Sequence, residues 1–261
     1  MKAKQPLAGK TIVATRPEAE QPALVELLTS LGATVLSLPM LAIVNTTPDR
    51  PDYAATRAAI LDLDLYSHII FVSPSAARAG YDWVDTFWPQ LPVGINWFSI
   101  GGKTQATLAA LGIESEISDK GFDSEALLTH PKLQDVTDHR ILIMRGEGGR
   151  PFLADELTKR GAKVDHAVLY AREAPVYETK RLHQTLYEAS PHGILVTSVD
   201  GLNNLVTHSQ ALDKKAQKSV LNCTLVVPSQ RVYDQAKALG FTRIKRSDGP
   251  DNAAMCAALT N

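Results

Sequence analysis

The segment RILIMRGEGGRPFLADELTKRGAKVDHAVLY (140–170) decides the fold of this chain. It begins with an apolar run, turns at Arg145 and Gly146, continues with a helical pattern that Gly161 closes, and ends in a second apolar run at Tyr170. This order predicts a strand, a polar corner, a helix and another strand. Because apolar runs alternate with helical patterns along most of the chain, we predict an α/β fold with parallel sheets that helices cover on both faces.

The same unit is repeated near the start of the chain. Arg16 and Gly32 stand 16 positions apart, as do Arg145 and Gly161. Two further pairs of segments match at offsets of 124 and 128 positions: HIIFVS (68–73) with HGILVT (192–197), and LAALGI (108–113) with AKALGF (236–241). Similar offsets in the same order favour an internal duplication over chance likeness between βα units. Taken alone, the repeat predicts two domains in tandem.

The composition narrows the functional classes. The 261 residues are enough for two domains, and 44% apolar with 21% charged residues is typical of a globular protein. The net charge of −1 provides no field for nucleic acid, and no run approaches the roughly 20 apolar residues of a membrane helix. Residues 1–10 lack the apolar core of a signal peptide. Cys223 and Cys256 form no CxxC motif, so we expect a reducing cytoplasm.

Polar residues follow the predicted strands at six corners. In a parallel sheet these corners meet at the carboxyl edge, where ligands bind, and their free N–H groups attract anions. The residues are Arg16, Ser73 and Ser75, Ser99 and Gly101, Arg145 and Gly146, Thr197 and Ser198, and Ser229 and Gln230. Each could simply be a cap or turn, as we expect of Ser75 at the start of the helix after Pro74. Together they favour an anionic ligand held between two domains.

Motifs for other chemistries are absent from the sequence. GGKT (101–104) has Trp97 where a P-loop needs glycine, and GEGGR (146–150) lacks the spacing of a dinucleotide-binding loop. The seven histidines form no HExxH motif, so we expect no metal. Tyr170 stands apart, because a phenol at a strand end can either pack under a loop or donate a hydrogen bond to a ligand.

Taken together, seven segments resemble the uroporphyrinogen-III synthase family in order and spacing. They are ATRP (14–17), FVSPSAARA (71–79), SIGGKTQATLAALGI (99–113), KGFDSEALL (120–128), ILIMRGEGGRPFLADELTKRGAKV (141–164), LYAREAP (169–175) and LVTSVDGLNNL (195–205). The resemblance implies two α/β domains, each a parallel five-stranded sheet with helices on both faces, joined by a two-stranded linker. It replaces the tandem split with a discontinuous domain, 1–38 plus 173–261, a second domain at 45–166, and linkers at 39–44 and 167–172.

The resemblance also implies a reaction. A lyase of haem biosynthesis would close hydroxymethylbilane to uroporphyrinogen III, with loss of water and inversion of ring D. Tyr170 would be the catalytic proton donor, and the corners with Lys103 and Thr104 would bind the substrate carboxylates. The family often has Gly-x-x-Thr at two corners; here Gly101 to Thr104 fits, but the second reads SQRV (229–232), which leaves Ser229 and Gln230 as the candidates. Neither metal nor organic cofactor is implied, and the resemblance implies a cytoplasmic monomer.

Two other interpretations fit part of the sequence. A hinged two-lobe binding module for a small polyanionic ligand would have the same α/β lobes, but the lack of an export signal argues against it. A fusion of two receiver-like domains would need an acidic Mg²⁺ cluster after each first strand, where Arg16 and Arg145 stand instead.

Overall fold

The computed structural model describes residues 5–260. Within this range the strands are β1 Thr11–Ala14, β2 Thr34–Ser37, β3 Ala42–Asn45, β4 His68–Phe71, β5 Asn96–Ser99, β6 Arg140–Gly146, β7 Lys163–Glu173, β8 Gly193–Leu195, β9 Thr224–Val227 and β10 Arg243–Arg246. The helices are α1 Pro22–Ser30, α2 Tyr53–Leu61, α3 Pro74–Phe87, α4 Gly102–Ala110, α5 Ser124–Leu127, α6 Phe152–Lys159, α7 Thr179–His183, α8 Val199–Gln210, α9 Lys214–Asn222, α10 Gln230–Ala238 and α11 Asn252–Thr260. None of these helices combines the length and apolar character that a membrane span needs.

The strands form two five-stranded sheets, in the orders β10-β9-β8-β1-β2 and β3-β7-β6-β4-β5. Pairs β1–β2, β1–β8, β8–β9 and β9–β10 are parallel in the first sheet, as are β4–β5, β4–β6 and β6–β7 in the second. Val13 packs into one apolar cluster of the first sheet, while its neighbours Ile12 and Ala14 pack into another. Both faces of β1 are therefore covered, which confirms the α/β fold class with two five-stranded sheets.

The chain divides into two compact units. The first takes the chain up to Ala42 and from Glu173 onward, and the second is Ile43–Arg172. In the second unit the backbone N–H of Thr46, just after β3, donates to the carbonyl of Leu169 in β7 at 2.9 Å.

The two sheets repeat one strand order. In the first, β1 lies between β2 and β8, and β9 follows β8; in the second, β6 lies between β7 and β4, and β5 follows β4. Thus β1 corresponds to β6, β8 to β4 and β9 to β5. The sequence echoes match the first two pairs, and the third echo matches α4 and α10, the helices that follow β5 and β9. Since β1 lies in the same sheet as β8, and β6 in the same sheet as β4, the two halves of the chain have exchanged their first βα units.

The expectation for the cap of α3 was wrong. Ser73, not Ser75, caps α3: its Oγ accepts from the N–H of Ala76 at 3.0 Å, because Pro74 has no N–H to satisfy and suits the first helical position. Beyond α4, the segment 113–117 pairs with β5 through a single bridge between Phe98 and Glu116.

The polar segment 213–218 opens α9. Asp213 caps this helix through bonds to the N–H groups of Lys215 and Ala216, at 2.8 and 3.0 Å. Its buried residues, Ala216 and Val220, are four positions apart on one face. Two apolar residues among many lysines make only a weak helical periodicity, so the sequence alone does not distinguish a surface helix from a loop here.

Candidate active site

A cavity of about 300 Å³ lies beyond the carboxyl ends of β4, β5 and β6 in the second unit. Its apolar lining comes from Val72, Ile100, Ile143 and Leu153. Its charged lining includes three guanidinium groups, those of Arg145, Arg150 and Arg172. An apolar floor beneath several cations suits a ring system that carries carboxylates.

The three arginines differ in how many hydrogen bonds and ion pairs they make with other residues of the protein. Arg145 donates through Nε to the Gly146 carbonyl at 3.3 Å and through Nη2 to the Gly148 carbonyl, so it shapes the loop after β6. Arg150 makes a two-pronged ion pair with Glu125 at 2.8 and 3.1 Å. Arg172 is exposed and has no hydrogen-bonding or ionic partner among residues 5–260. Arg172 is therefore the cation most available to an incoming carboxylate.

Gly146 allows the end of β6, which lies beside this cavity, to pack closely against Tyr170 of β7. The β6–β7 register shifts between Arg145 and Gly146, which places Gly146 opposite Tyr170. The Glu147 N–H then donates to the Tyr170 carbonyl at 2.7 Å. Tyr170 is 1% exposed, with its ring in the apolar cluster under α3. The structure thus buries the ring of Tyr170, the residue predicted to place a phenol at the end of a strand.

The Tyr170 hydroxyl meets the cap of α3. It lies 3.0 Å from Ser73 Oγ, which also accepts the Ala76 N–H. Ser73 is half-buried, as is Ser75 in the first turn of the helix. The structure therefore brings two predicted residues, Tyr170 and Ser73, into direct contact.

The corner after β5 uses most of its polar groups internally. Ser99 is 1% exposed and accepts from Ser115 Oγ at 3.0 Å. Thr104, also 1% exposed, donates to the Ile100 carbonyl at 2.8 Å. Gly101 precedes α4 with φ of 80°, a conformation that favours glycine, and the Lys103 side chain is exposed. Lys103 and the amides at the start of α4 are thus the more available groups here.

Arg16, at the corresponding corner of the first unit, is 9% exposed. Its Nη2 donates to the Pro250 carbonyl, and Gln21 Nε2 donates to the Arg16 carbonyl at 2.7 Å. Burial lowers the pKa of the Arg16 guanidinium, while Glu20 and Asp251 act in the opposite direction. This arginine supports the loop before α11, a more enclosed setting than that of Arg145.

The other predicted residues of the first unit start α8 and α10. Ser198 Oγ accepts the Gly201 N–H at 3.0 Å, and Thr197 beside it is half-buried. Ser229 precedes α10 without a side-chain capping bond. Gln230 accepts from Arg246 at 2.9 Å and donates to Asp234 at 2.8 Å. Of the two serines that precede these helices, Ser229 is the one whose hydroxyl makes no capping bond.

Sequence reasoning missed Arg150 and Arg172 as site residues. Both lay within quoted segments, the loop GEGGR (146–150) and LYAREAP (169–175). Arg145 and Gly146 were predicted to bind an anion, but Arg150 at the other end of the loop was not, although a glycine loop with arginines at both ends is typical of an anion site. Among residues 5–260 no group of three or more His, Cys, Asp or Glu side chains could hold a metal ion.

Comparisons with known proteins match nearly the whole chain. A family model described as uroporphyrinogen-III synthase HemD matches residues 22–257. The chain is 31% identical to uroporphyrinogen-III synthase of Salmonella typhimurium over 263 residues, covering 95% of this chain and 99% of that protein. It is also 31% identical to the Escherichia coli synthase over 252 residues, with the same coverage. Among solved structures, the Helicobacter pylori synthase aligns with a TM-score of 0.58 at 11% identity over 95% of this chain and 97% of that one. A Thermus thermophilus synthase mutant gives 0.57 at 16% identity over 95% and 96%. At these identities the two structures show the shared fold alone.

Proposed function

The chain belongs to the uroporphyrinogen-III synthase family, and from that premise we propose that it converts hydroxymethylbilane to uroporphyrinogen III. The reaction removes one water, closes the ring and inverts ring D, a lyase step of haem biosynthesis. The observation that carries the proposal is the arginine-lined cavity at the carboxyl edge of the second sheet. This substrate is a linear tetrapyrrole with a carboxylate on each of its acetate and propionate arms.

Substrate carboxylates are bound at the rim of the cavity. Arg172 provides a guanidinium that has no partner within residues 5–260, and Arg145 fixes the conformation of the loop by donating to the Gly148 carbonyl. A guanidinium binds a carboxylate through two parallel hydrogen bonds, which fixes both position and orientation. Apolar side chains such as Ile143 and Leu153 lie where a pyrrole ring would rest.

Holding the chain folded is most of the catalytic task. Spontaneous closure of the linear substrate gives the isomer without inversion, so the enzyme must favour the attack that inverts the last ring. Orienting the reacting ends within one site can contribute several orders of magnitude to a rate. Carboxylate contacts spread along the substrate perform that role without touching the reacting carbons.

Departure of the hydroxyl group needs a proton donor. Tyr170 is the proposed donor, and it acts together with Ser73, whose Oγ is 3.0 Å from the phenol oxygen. Because Tyr170 is 1% exposed and Ser73 is half-buried, Ser73 is the member of the pair that meets solvent more readily. A proton passed from the phenol through the Ser73 hydroxyl to the departing hydroxyl releases water and leaves a phenolate beside a cationic azafulvene. The proton that the substrate loses after ring closure, when its pyrrole ring regains aromaticity, returns to the phenolate and restores the phenol.

The finer domain limits belong to this proposal. Residues 1–38 with 173–261 form one domain, 45–166 the other, and 39–44 with 167–172 the linkers. The division of contacts at Ala42 and Glu173 supports these limits. The protein works as a cytoplasmic monomer, and its two free cysteines, both buried, fit a reducing compartment.

The test uses purified protein and freshly prepared hydroxymethylbilane without added metal. We expect the type III isomer to form faster than the spontaneous type I isomer, as separated by chromatography. Type I alone, at the spontaneous rate, would overturn the proposal. Tight binding of the substrate in calorimetry without conversion would instead assign the chain to a binding module.

A further inference from the structure

A second cavity, of about 520 Å³, lies in the first unit at the edge of its sheet where the strands begin. Ile12, Gly193, Thr224 and Arg243 stand side by side in register across β1, β8, β9 and β10. All four residues belong to the starts of their strands, and three of them line the cavity. The candidate active site, by contrast, lies at the carboxyl edge of the other sheet. The second cavity therefore has no part in the proposed reaction.

The sheet directs two cations into this cavity from its edge strand. Val226 packs with Leu259 of α11 in one apolar cluster, which identifies the face of the sheet that α11 covers. Lys245 is the register partner of Val226, and Arg243 lies two positions earlier in β10. Residues two apart in a strand, and register partners in neighbouring strands, point to the same face. Arg243 and Lys245 thus share the face of α11, and Lys10 lines the cavity from the start of β1.

The charge of the cavity is unbalanced. Lys10, Arg243 and Lys245 line it, and the part of the lining that residues 5–260 provide contains no aspartate or glutamate. None of the three has an ion-pair partner among residues 5–260. The whole chain carries a net charge of −1, so this local excess is not a property of the composition. Three cations around one polar cavity repel each other, and a bound anion would relieve that repulsion.

Neutral groups of the cavity point to binding rather than to chemistry. Ser219 and Asn222 add a hydroxyl and an amide. Ser190, at the rim, has φ of 46°, a left-handed conformation that non-glycine residues seldom adopt and that clusters at binding sites. Burial raises the pKa of Cys223 to about 11, and its Sγ donates to the Pro191 carbonyl at 3.2 Å. A thiol held neutral in this way offers no nucleophile.

We propose that this cavity binds a small oxyanion with two or more negative charges, of the phosphate-ester or polycarboxylate class. Arg243 contributes a two-pronged contact, and Lys245 and Lys10 contribute point charges. The cavity volume fits a metabolite-sized ligand rather than a macromolecule.

Titration calorimetry with two probes tests the proposal and identifies which class of anion the cavity binds. Pyrophosphate represents phosphate esters and citrate represents polycarboxylates. We expect saturable binding of at least one probe by the wild-type protein. The double variant Arg243→Gln with Lys245→Gln should weaken that binding about tenfold or more.

Lys214→Gln with Lys237→Gln is the matched control, because it removes the same charge from exposed positions of α9 and α10 outside the cavity. It should bind as the wild type does. Formation of the type III isomer by both double variants would show that they are folded, and Lys10→Gln replaces the first pair if it fails to fold. Absence of saturable binding of either probe, or equal weakening in the control, would overturn the proposal.

Discussion

A Cβ atom placed on Gly146 would lie 2.5 Å from Cε2 of Tyr170 and 3.0 Å from its hydroxyl oxygen. No real Cβ occupies such a position, so Gly146 is the residue that lets the phenol reach Ser73. The contact links the end of β6, the end of β7 and the cap of α3 through one buried ring. The arrangement of the proposed proton donor depends on the absence of a side chain at position 146.

Gly146→Ala should destabilise the protein and reduce turnover, because either Tyr170 or the backbone of β6 must move. Inserting a methyl group into a filled site costs about 1–3 kcal/mol in the free energy of unfolding. Urea denaturation and the type III assay measure the two effects. Gly102→Ala is the control: nothing lies within 4 Å of its added Cβ, and alanine favours the helix it would join. Equal stability of both variants would contradict the packing argument.

Tyr170→Phe keeps the ring and removes the hydroxyl, so it separates packing from proton donation. We expect kcat to fall about 100-fold, within the range for loss of a general acid, with little change in unfolding free energy. Ser73→Ala should lower kcat as well. Because the two groups act as one pair, the double variant should be hardly slower than Tyr170→Phe alone. If the two substitutions lower kcat multiplicatively, or if Tyr170→Phe leaves kcat unchanged, the two hydroxyls do not act as a pair in the reaction.

Arg172→Gln should raise KM for hydroxymethylbilane about tenfold or more and change kcat less. A hydrogen bond to a charged group contributes about 1.5–3 kcal/mol, and 1.4 kcal/mol corresponds to a factor of ten. Lys163→Gln removes the same charge from an exposed position at the other end of β7 and should leave KM unchanged. If the two variants raise KM equally, general attraction rather than a specific contact explains the effect.

Much of this architecture could be predicted from the sequence, because parallel strands buried on both faces leave long apolar runs that glycines and polar corners punctuate. The corner after β4 was predicted, since Ser73 directly follows such a run. Arg145 and Gly146, predicted to form a corner, are instead the last two residues of β6. The sequence did not predict which polar groups already form hydrogen bonds within the fold. Ser99 and Arg16 have the residue types of an anion site, yet Ser115 and the Pro250 carbonyl occupy them through contacts distant in sequence. Arg172 was not predicted, because only the folded chain brings it into the lining of the cavity.

Stability should decline in mild acid because of His68. Burial, together with the nearby His139, lowers the pKa of this imidazole; Lys132 acts in the same direction and Glu116 in the opposite one. The unfolded chain, with a histidine pKa of about 6.5, then takes up the proton first. The folded state is fully stable above that pH and loses stability as the pH falls toward the lower folded pKa.

Urea midpoints at about pH 7.5 and 5.5 measure this effect, with two values chosen to bracket the unfolded histidine pKa. His68→Gln should show a smaller pH difference than the wild type. A residual difference is expected from His166 and His208, whose pKa values burial also lowers. An undiminished pH difference in His68→Gln would assign the acid sensitivity to other groups.

Thr104 and Val232 occupy equivalent positions at the starts of α4 and α10, and their contrast yields a prediction. Val232 is 2% exposed and packs in the core of the first unit, so one of the two corners already works without a hydroxyl there. At the other corner the Thr104 hydroxyl donates to the Ile100 carbonyl and is therefore engaged within the fold. Thr104→Val should cost about 1 kcal/mol of stability for the lost hydrogen bond and leave kcat/KM within about threefold of the wild type. Thr104→Ser, which keeps the hydroxyl, separates the two contributions. A fall in kcat/KM of about 100-fold in a folded Thr104→Val, with Thr104→Ser active, would instead show that this hydroxyl turns toward the substrate during the reaction.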